Sequence, residues 1–198
     1  ALTVNTKALT ITANADSKTY GDVKTYGSGS TAFTPVGLVN SETIGSVTVT
    51  DTNSGGVATA AAGGTYALTP SAATGGTFTT SNYSITYATG ALTVNRKVVT
   101  LSAEKTYDGT TGLTGYVTIN TGIAGESLTY TGAAANDANV ATANKYISAI
   151  TLANGTGGVA TNYALPTLNA ANAPVTINAA ALTITANADS KTYGDVKT

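Results

Sequence analysis

ALTITANADSKTYGDVKT occupies residues 8–25 and returns letter for letter at residues 181–198, an offset of 173. A fixed internal period of this kind decides architecture before any local propensity does. Inside the period lies a weaker copy. ALTVN at Ala1–Asn5 returns as ALTVN at Ala91–Asn95, and again as PVTIN at Pro174–Asn178. The period therefore divides into two related modules, residues 8–95 and residues 96–178. Residues 1–7 read as the last strand of a preceding module, and residues 179–198 as the first strand of the next repeat copy.

Both modules carry the same landmarks in the same order, which argues for one topology used twice. Each opens on an alternating strand and a Lys-Thr-Tyr turn. The turn residues are Lys18, Tyr20, Gly21 and Asp22 in the first module, and Lys105, Tyr107, Asp108 and Gly109 in the second. Midway come GLVNSET (Gly37–Thr43) and GIAGES (Gly122–Ser127), each with one glutamate, Glu42 or Glu126. Near the end come Asn82-Tyr83 and Asn162-Tyr163, followed by the closing ALTVN-like strand.

Alternation is the dominant periodicity. Leu9, Ile11 and Ala13 fall on one face with Thr10 and Thr12 on the other; Val47 and Val49, then Tyr83, Ile85 and Tyr87, repeat the pattern. Period two predicts half-buried strands, and the Gly, Asn, Ser and Asp clusters between them predict turns. The Ala-rich stretch Ala133–Lys145 lacks a helical stripe and reads as a loop or short turn. The fold class expected is all-β: two small antiparallel β modules end to end in an elongated rod. An Ig-like sandwich is favoured over a β-grasp-like sheet because no helix is evident. Aliphatic content is thin, so the tyrosines are expected to bury rings while their hydroxyls stay wet or bond to backbone.

Composition narrows the functions. With a net charge of −1 and 10% charged residues, no basic surface exists to neutralise phosphates, so nucleic acid is not an expected partner. The absence of Cys and His removes disulfides, thiolate chemistry, the usual zinc ligands and every imidazole triad, and neither enzymatic activity nor a cofactor is expected. No apolar run approaches the roughly 20 residues that span a bilayer, and no leader opens the sequence, so direct membrane insertion is not expected.

These landmarks resemble the MBG and YDG repeat families of large bacterial surface proteins, including filamentous-haemagglutinin-like adhesins. The first module resembles the MBG type through KTYGD, GLVNSET, GGTYALTPS (Gly63–Ser71) and NYSITYATGALTV (Asn82–Val94). The second resembles the YDG type through KTYDGTT (Lys105–Thr111), ANVATANKYIS (Ala138–Ser148) and NYAL (Asn162–Leu165). The resemblance implies an extracellular location on the bacterial surface and a role in attachment, aggregation or biofilm. It brings no catalytic residues with it.

Candidate chemistry is sparse. Ser102, Ala103, Glu104 and Lys105 spell the S-x-x-K of acyl enzymes, but the motif runs from a strand into a turn and lacks its partner motifs. Asn82 and Asn154 match N-x-S/T glycan acceptors, although neither motif is kept in the other module. The Thr-x-Thr runs lack the short period of an ice-binding solenoid, and the scattered acids form no calcium loop. A sharper candidate joins Lys18, Glu42 and Asn82, matched by Lys105, Glu126 and Asn162. Lys, an acid and Asn in a β-core form the internal isopeptide bond of Gram-positive pilins and adhesins. The plainer reading leaves the Lys and Glu solvated and the Asn in a turn.

Connections between modules are short: Thr6 and Lys7, Arg96 with Lys97, and Ala179 with Ala180. Flexible linkers are longer and rich in Gly or Ser, so the expected assembly is stiff. The function expected is a stalk or spacer whose partners are neighbouring repeats of the same chain. The alternative is a repeat that binds glycan, mucin or surface proteins, or associates with itself through edge strands.

Overall fold

The computed structural model describes residues 1–197, and among them the only helical elements are two 3₁₀ turns, Thr80–Asn82 and Ala160–Asn162. All other regular structure is strand. In the first module the strands are β1 (Lys7–Ala13), β2 (Asp16–Thr19), β3 (Phe33–Val36), β4 (Ile44–Asp51), β5 (Tyr66–Gly76), β6 (Tyr83–Ala88) and β7 (Gly90–Asn95). They form a three-stranded sheet, β3-β1-β6, and a four-stranded sheet, β2-β7-β5-β4.

The two sheets enclose one core, as a sandwich requires. Leu9, Ile11 and Ala13 from β1 and Tyr83 from β6 meet Val47 and Val49 from β4, Leu68 from β5 and Leu92 from β7. The period-two pattern is the cause: alternate side chains of β1 point inward, and each fully buried Leu or Ile contributes roughly 1.5–3 kcal/mol by leaving water.

The second module repeats the plan with β8 (Lys97–Val98), β9 (Thr100–Thr106), β10 (Val117–Asn120), β11 (Leu128–Ala135), β12 (Ile147–Asn154), β13 (Tyr163–Ala164) and β14 (Val175–Asn178). Its sheets are smaller: β10-β9-β14, the hairpin β11-β12, and β13 paired with β8. Val99, Leu101, Leu113, Leu128, Ile147, Val175 and Ile177 lie in its core. Of the Ala133–Lys145 stretch expected to be a loop, Ala133–Ala135 instead finish β11 with Ala133 and Ala135 buried, and only the residues after Ala135 leave the strand for turns.

The sheets are mixed rather than purely antiparallel. β1 runs parallel to β6, from Lys7 against Tyr83 to Thr12 against Ala88, and β2 runs parallel to β7, from Asp16 against Leu92 to Thr19 against Asn95. In the second module β8 is parallel to β13 and β9 to β14. A chain that enters a module at one pole and leaves at the other must give its first and last strands the same direction. When those strands lie side by side, their pairing is parallel.

The partial copies at the two ends behave differently from their full counterparts. Leu182 is 82% exposed although its copy Leu9 is 1% exposed, and residues 179–197 form no strand. Residues 1–6 likewise form no strand, and Lys7 belongs to β1. The expected strands at 1–7 and 179–198 are thus absent as strands among the described residues. β1 exists because β3 and β6 hydrogen-bond to its two edges, and neither partial copy has such neighbours.

Candidate functional site at the module joint

The KTY turns stand at the pole of each module where the chain leaves. Tyr20 N donates to Asn95 O at 2.9 Å, and Tyr107 N donates to Asn178 O at 2.8 Å, so each turn sits beside the last residue of its module. The Glu and Asn-Tyr landmarks stand at the opposite pole. Each Asn-Tyr follows a 3₁₀ turn whose last residue is the Asn. This arrangement brings the turn of the first module onto the Glu and Asn-Tyr of the second.

The contact is built around one carboxylate. Tyr20 Oη donates to Glu126 Oε1 at 2.8 Å, and Tyr163 Oη donates to Glu126 Oε2 at 2.6 Å. The two rings meet edge to face, with centroids 5.5 Å apart and planes at 75°. Such a ring pair contributes about 0.5–1.5 kcal/mol beyond its buried area, and a hydrogen bond to a charged group about 1.5–3 kcal/mol. Beside it, Ala62 N donates to the buried Asn162 Oδ1 at 3.0 Å. Tyr20, Ala60 and Val94 of the first module belong to the same apolar cluster as the core of the second.

Gly21 meets two demands in this joint. Its φ is +92°, a region that L side chains rarely adopt, and a Cβ there would lie 2.7 Å from Ile123 Cδ1. The loop opposite is held in place by Lys18. Its buried ammonium donates to Asp22 O at 2.9 Å and Val57 O at 2.7 Å, while Gly21 N donates to Ala58 O at 3.1 Å. Burial lowers the Lys18 pKa, with the charges of Asp22 and Asp51 opposing.

Lys105 is buried in the same way. Its ammonium donates to Asp108 Oδ1 at 2.7 Å, Thr110 O at 2.7 Å and Gly112 O at 3.0 Å. The Gly-Asp to Asp-Gly exchange thus changes the acceptor: Asp22 offers a backbone carbonyl, Asp108 its carboxylate. Lys105 in turn holds the Asp108 carboxyl down at about 2. The lysines are therefore not solvated. They are buried ties between loops, their ammoniums compensated by converging carbonyl oxygens and, for Lys105, by the Asp108 carboxylate.

Five of the six candidate crosslink residues fall into separate networks, and Asn82 is exposed. Lys18 and Lys105 bond to loop acceptors, Glu42 accepts from Tyr83, Glu126 from Tyr20 and Tyr163, and Asn162 from Ala62. Among the described residues no hydrogen bond joins a Lys of this set to its Glu or Asn. In the S-x-x-K stretch, Ser102 is exposed while Lys105 is buried, the two lying on opposite faces of β9. Asn154 Oδ1 accepts from Ala160 N at 2.8 Å, ordinary turn chemistry.

The acceptor role of the two glutamates was missed from sequence, where the tyrosine hydroxyls were assigned to water or backbone. The signal was present: a single Glu at one matched place in each module, and a matched Tyr near each end.

Residues 9–93 match the family model of the MBG domain, YGX type. The likeness covers nearly the whole of the first module and less than half of the chain. The matched residues take in all of the first module's strands but the outermost residues of β1 and β7. MBG domains are associated with repeats in large surface proteins, and the family is of a structural type rather than an enzyme family. No curated protein and no solved structure matches the chain. Among the described residues, no group of His, Cys, Asp and Glu could hold a metal ion, and no helix is long and apolar enough to cross a membrane.

Proposed function

We propose that this chain is a load-bearing stalk segment of a bacterial extracellular adhesin, a repeat that holds a binding tip away from the cell surface in attachment or biofilm. The observation that carries this reading is the parallel pairing of the two opening strands of each module with its two closing strands, β1 with β6 and β2 with β7, β8 with β13 and β9 with β14. Tension applied through the chain draws β2 toward one pole and β7 toward the other. The hydrogen bonds between Asp16–Thr19 and Leu92–Asn95 lie across that pull and are loaded together rather than opened one at a time. β9 and β14 meet the same load, from Ala103 against Val175 to Thr106 against Asn178. The packed joint at Glu126 supports the reading further, because a hinge there would let the stalk fold back. The MBG likeness of the first module supports a surface protein.

The test is small-angle scattering on chains of one, two and three periods. A stalk predicts a maximum dimension that grows in proportion to period number, and a length that saturates overturns it. The reading in which the repeat itself binds glycan, mucin or another cell's copy has less support. Tyr107 and Tyr116 are exposed in the second module, but no matching aromatic platform recurs on the first.

A further inference from the structure

The joint observed at Glu126 has two unfilled halves elsewhere in the same molecule. At the entry pole of the first module, Glu42 accepts the Tyr83 hydroxyl through Oε2, as Glu126 accepts Tyr163. Its other oxygen accepts nothing among the described residues, whereas the corresponding oxygen of Glu126 holds Tyr20. Asn82 is exposed where Asn162 is buried. At the exit pole of the second module, Tyr107 is 41% exposed where Tyr20 is 5% exposed. At the position of Gly21, which Ile123 covers, the second module has Asp108, which is exposed. Each difference between the modules falls on a residue that the observed joint covers in one module and leaves bare in the other.

The chain spacing matches as well. β7 ends at Asn95, and the first core residue of the following module is Val99, four positions on. β14 ends at Asn178, and Leu182, the copy of Leu9, also follows four positions on. A connector of the same length between equivalent strands sets the next module in the same relation to the last.

We propose that these two poles are complementary halves of a second joint, filled by the next copy of the first module. There the hydroxyls of Tyr107 and of that copy's Tyr83 share the carboxylate of its Glu42. The occupant is a further copy of this chain's own period, since residues 181–198 already repeat the start of module one. Every junction of the array is then the same acid-centred joint, alternating between two sequence versions. The proposal rests on the stalk reading only in that the repeat continues.

The experiment compares tyrosine nitration in two chains, read by mass spectrometry after cleavage at the glutamates, which places the identical repeat copies in fragments of different length. One is the 198-residue chain; the other continues it with a copy of residues 26–95, completing the next copy of the first module. In the first, Tyr107 should react and Tyr20 stay protected. In the second, Tyr107 modification should drop to the level of Tyr20, and Glu42→Ala in the added copy should restore it. Protection of the added Tyr83 reports that the added module is folded. Tyr107 reacting equally in both chains overturns the joint; protection indifferent to Glu42→Ala overturns the role of the acid. Scattering length can fail to scale while Tyr107 is protected, and the converse, so the joint and the stalk fail separately.

Discussion

Tyr20 and Tyr163 lie in different modules, yet their hydroxyls donate to the two oxygens of one carboxylate, Glu126, at 2.8 and 2.6 Å. Two domains connected by one or two residues could still swivel if nothing but the chain joined them. Here a charged acceptor, an edge-to-face ring pair and Asn162 fix their relation at once.

Removing one hydroxyl should be felt at this joint and nowhere else. Tyr20→Phe takes a donor from Glu126 and is expected to cost about 1–2 kcal/mol, read in denaturant unfolding. Tyr107→Phe in the same chain is expected to stay within about 0.5 kcal/mol, because that hydroxyl is exposed and has no carboxylate to lose. Equal costs for the two would remove the special role of Tyr20.

High pH should loosen the joint. Burial first, and then the bond to Glu126, push the Tyr20 and Tyr163 hydroxyls upward; for Tyr83 the bond to Glu42 comes first and burial second. A group whose pKa is higher folded than unfolded lends its full stability below the unfolded value, and loses it as pH rises through the folded value. Stability should therefore hold up to about pH 10, the ordinary tyrosine value, and decline above it. Tyrosinate absorbance appearing together with unfolding checks this, and tyrosines that all ionise near 10 without unfolding contradict it.

Gly21 and Gly109 separate backbone strain from packing. Both have positive φ, so alanine at either should cost about 1 kcal/mol or more. Only Gly21→Ala also drives a Cβ against Ile123 Cδ1. Its thermal midpoint should fall further than that of Gly109→Ala, and the reverse order would contradict the joint.

The buried lysines give a prediction about mass as well as stability. With the ammoniums held by loop acceptors and the glutamates by tyrosines, intact mass should equal that of the unmodified sequence; loss of one ammonia per module would show a crosslink. Lys105→Met should destabilise by about 2–3 kcal/mol, since it removes the donor that ties Asp108, Thr110 and Gly112 together. The Lys105–Asp108 contribution should be complete above the ordinary carboxylate value of 3.8, decline as pH falls below it, and be gone once pH has fallen through about 2.

Residues 179–198 should be dispensable to the two modules. A chain ending at Asn178 is expected to unfold within about 0.5 kcal/mol of the full one, because the described part of the tail packs no strand. Amide exchange throughout 181–197 should be fast, and protection there would show a docked strand.

Much of the fold was legible because period-two alternation is local. Leu9, Ile11 and Ala13 announce an inward face whatever lies opposite, and the duplicated landmarks announce a second module of the same plan. The parallel pairing of β1 with β6 and β2 with β7 was not legible, since strand direction in a sheet depends on where the chain enters and leaves. Lys18 and Lys105 misled for a related reason: a cation is expected in water unless acceptors converge on it, and their acceptors come from turns whose course no pattern encodes.

The sequence alone determined the 173-residue period and the all-β character, because repetition and alternation are written in the order of residues. Only the tertiary structure decided which copy of a motif is active in the joint. Tyr20 and Tyr107 sit in the same Lys-Thr-Tyr turn, and Leu9 and Leu182 in the same 18 letters, yet one of each pair is buried and the other is not. Burial is a property of what docks against a surface, and that partner lies a hundred residues away along the chain or in another copy of it.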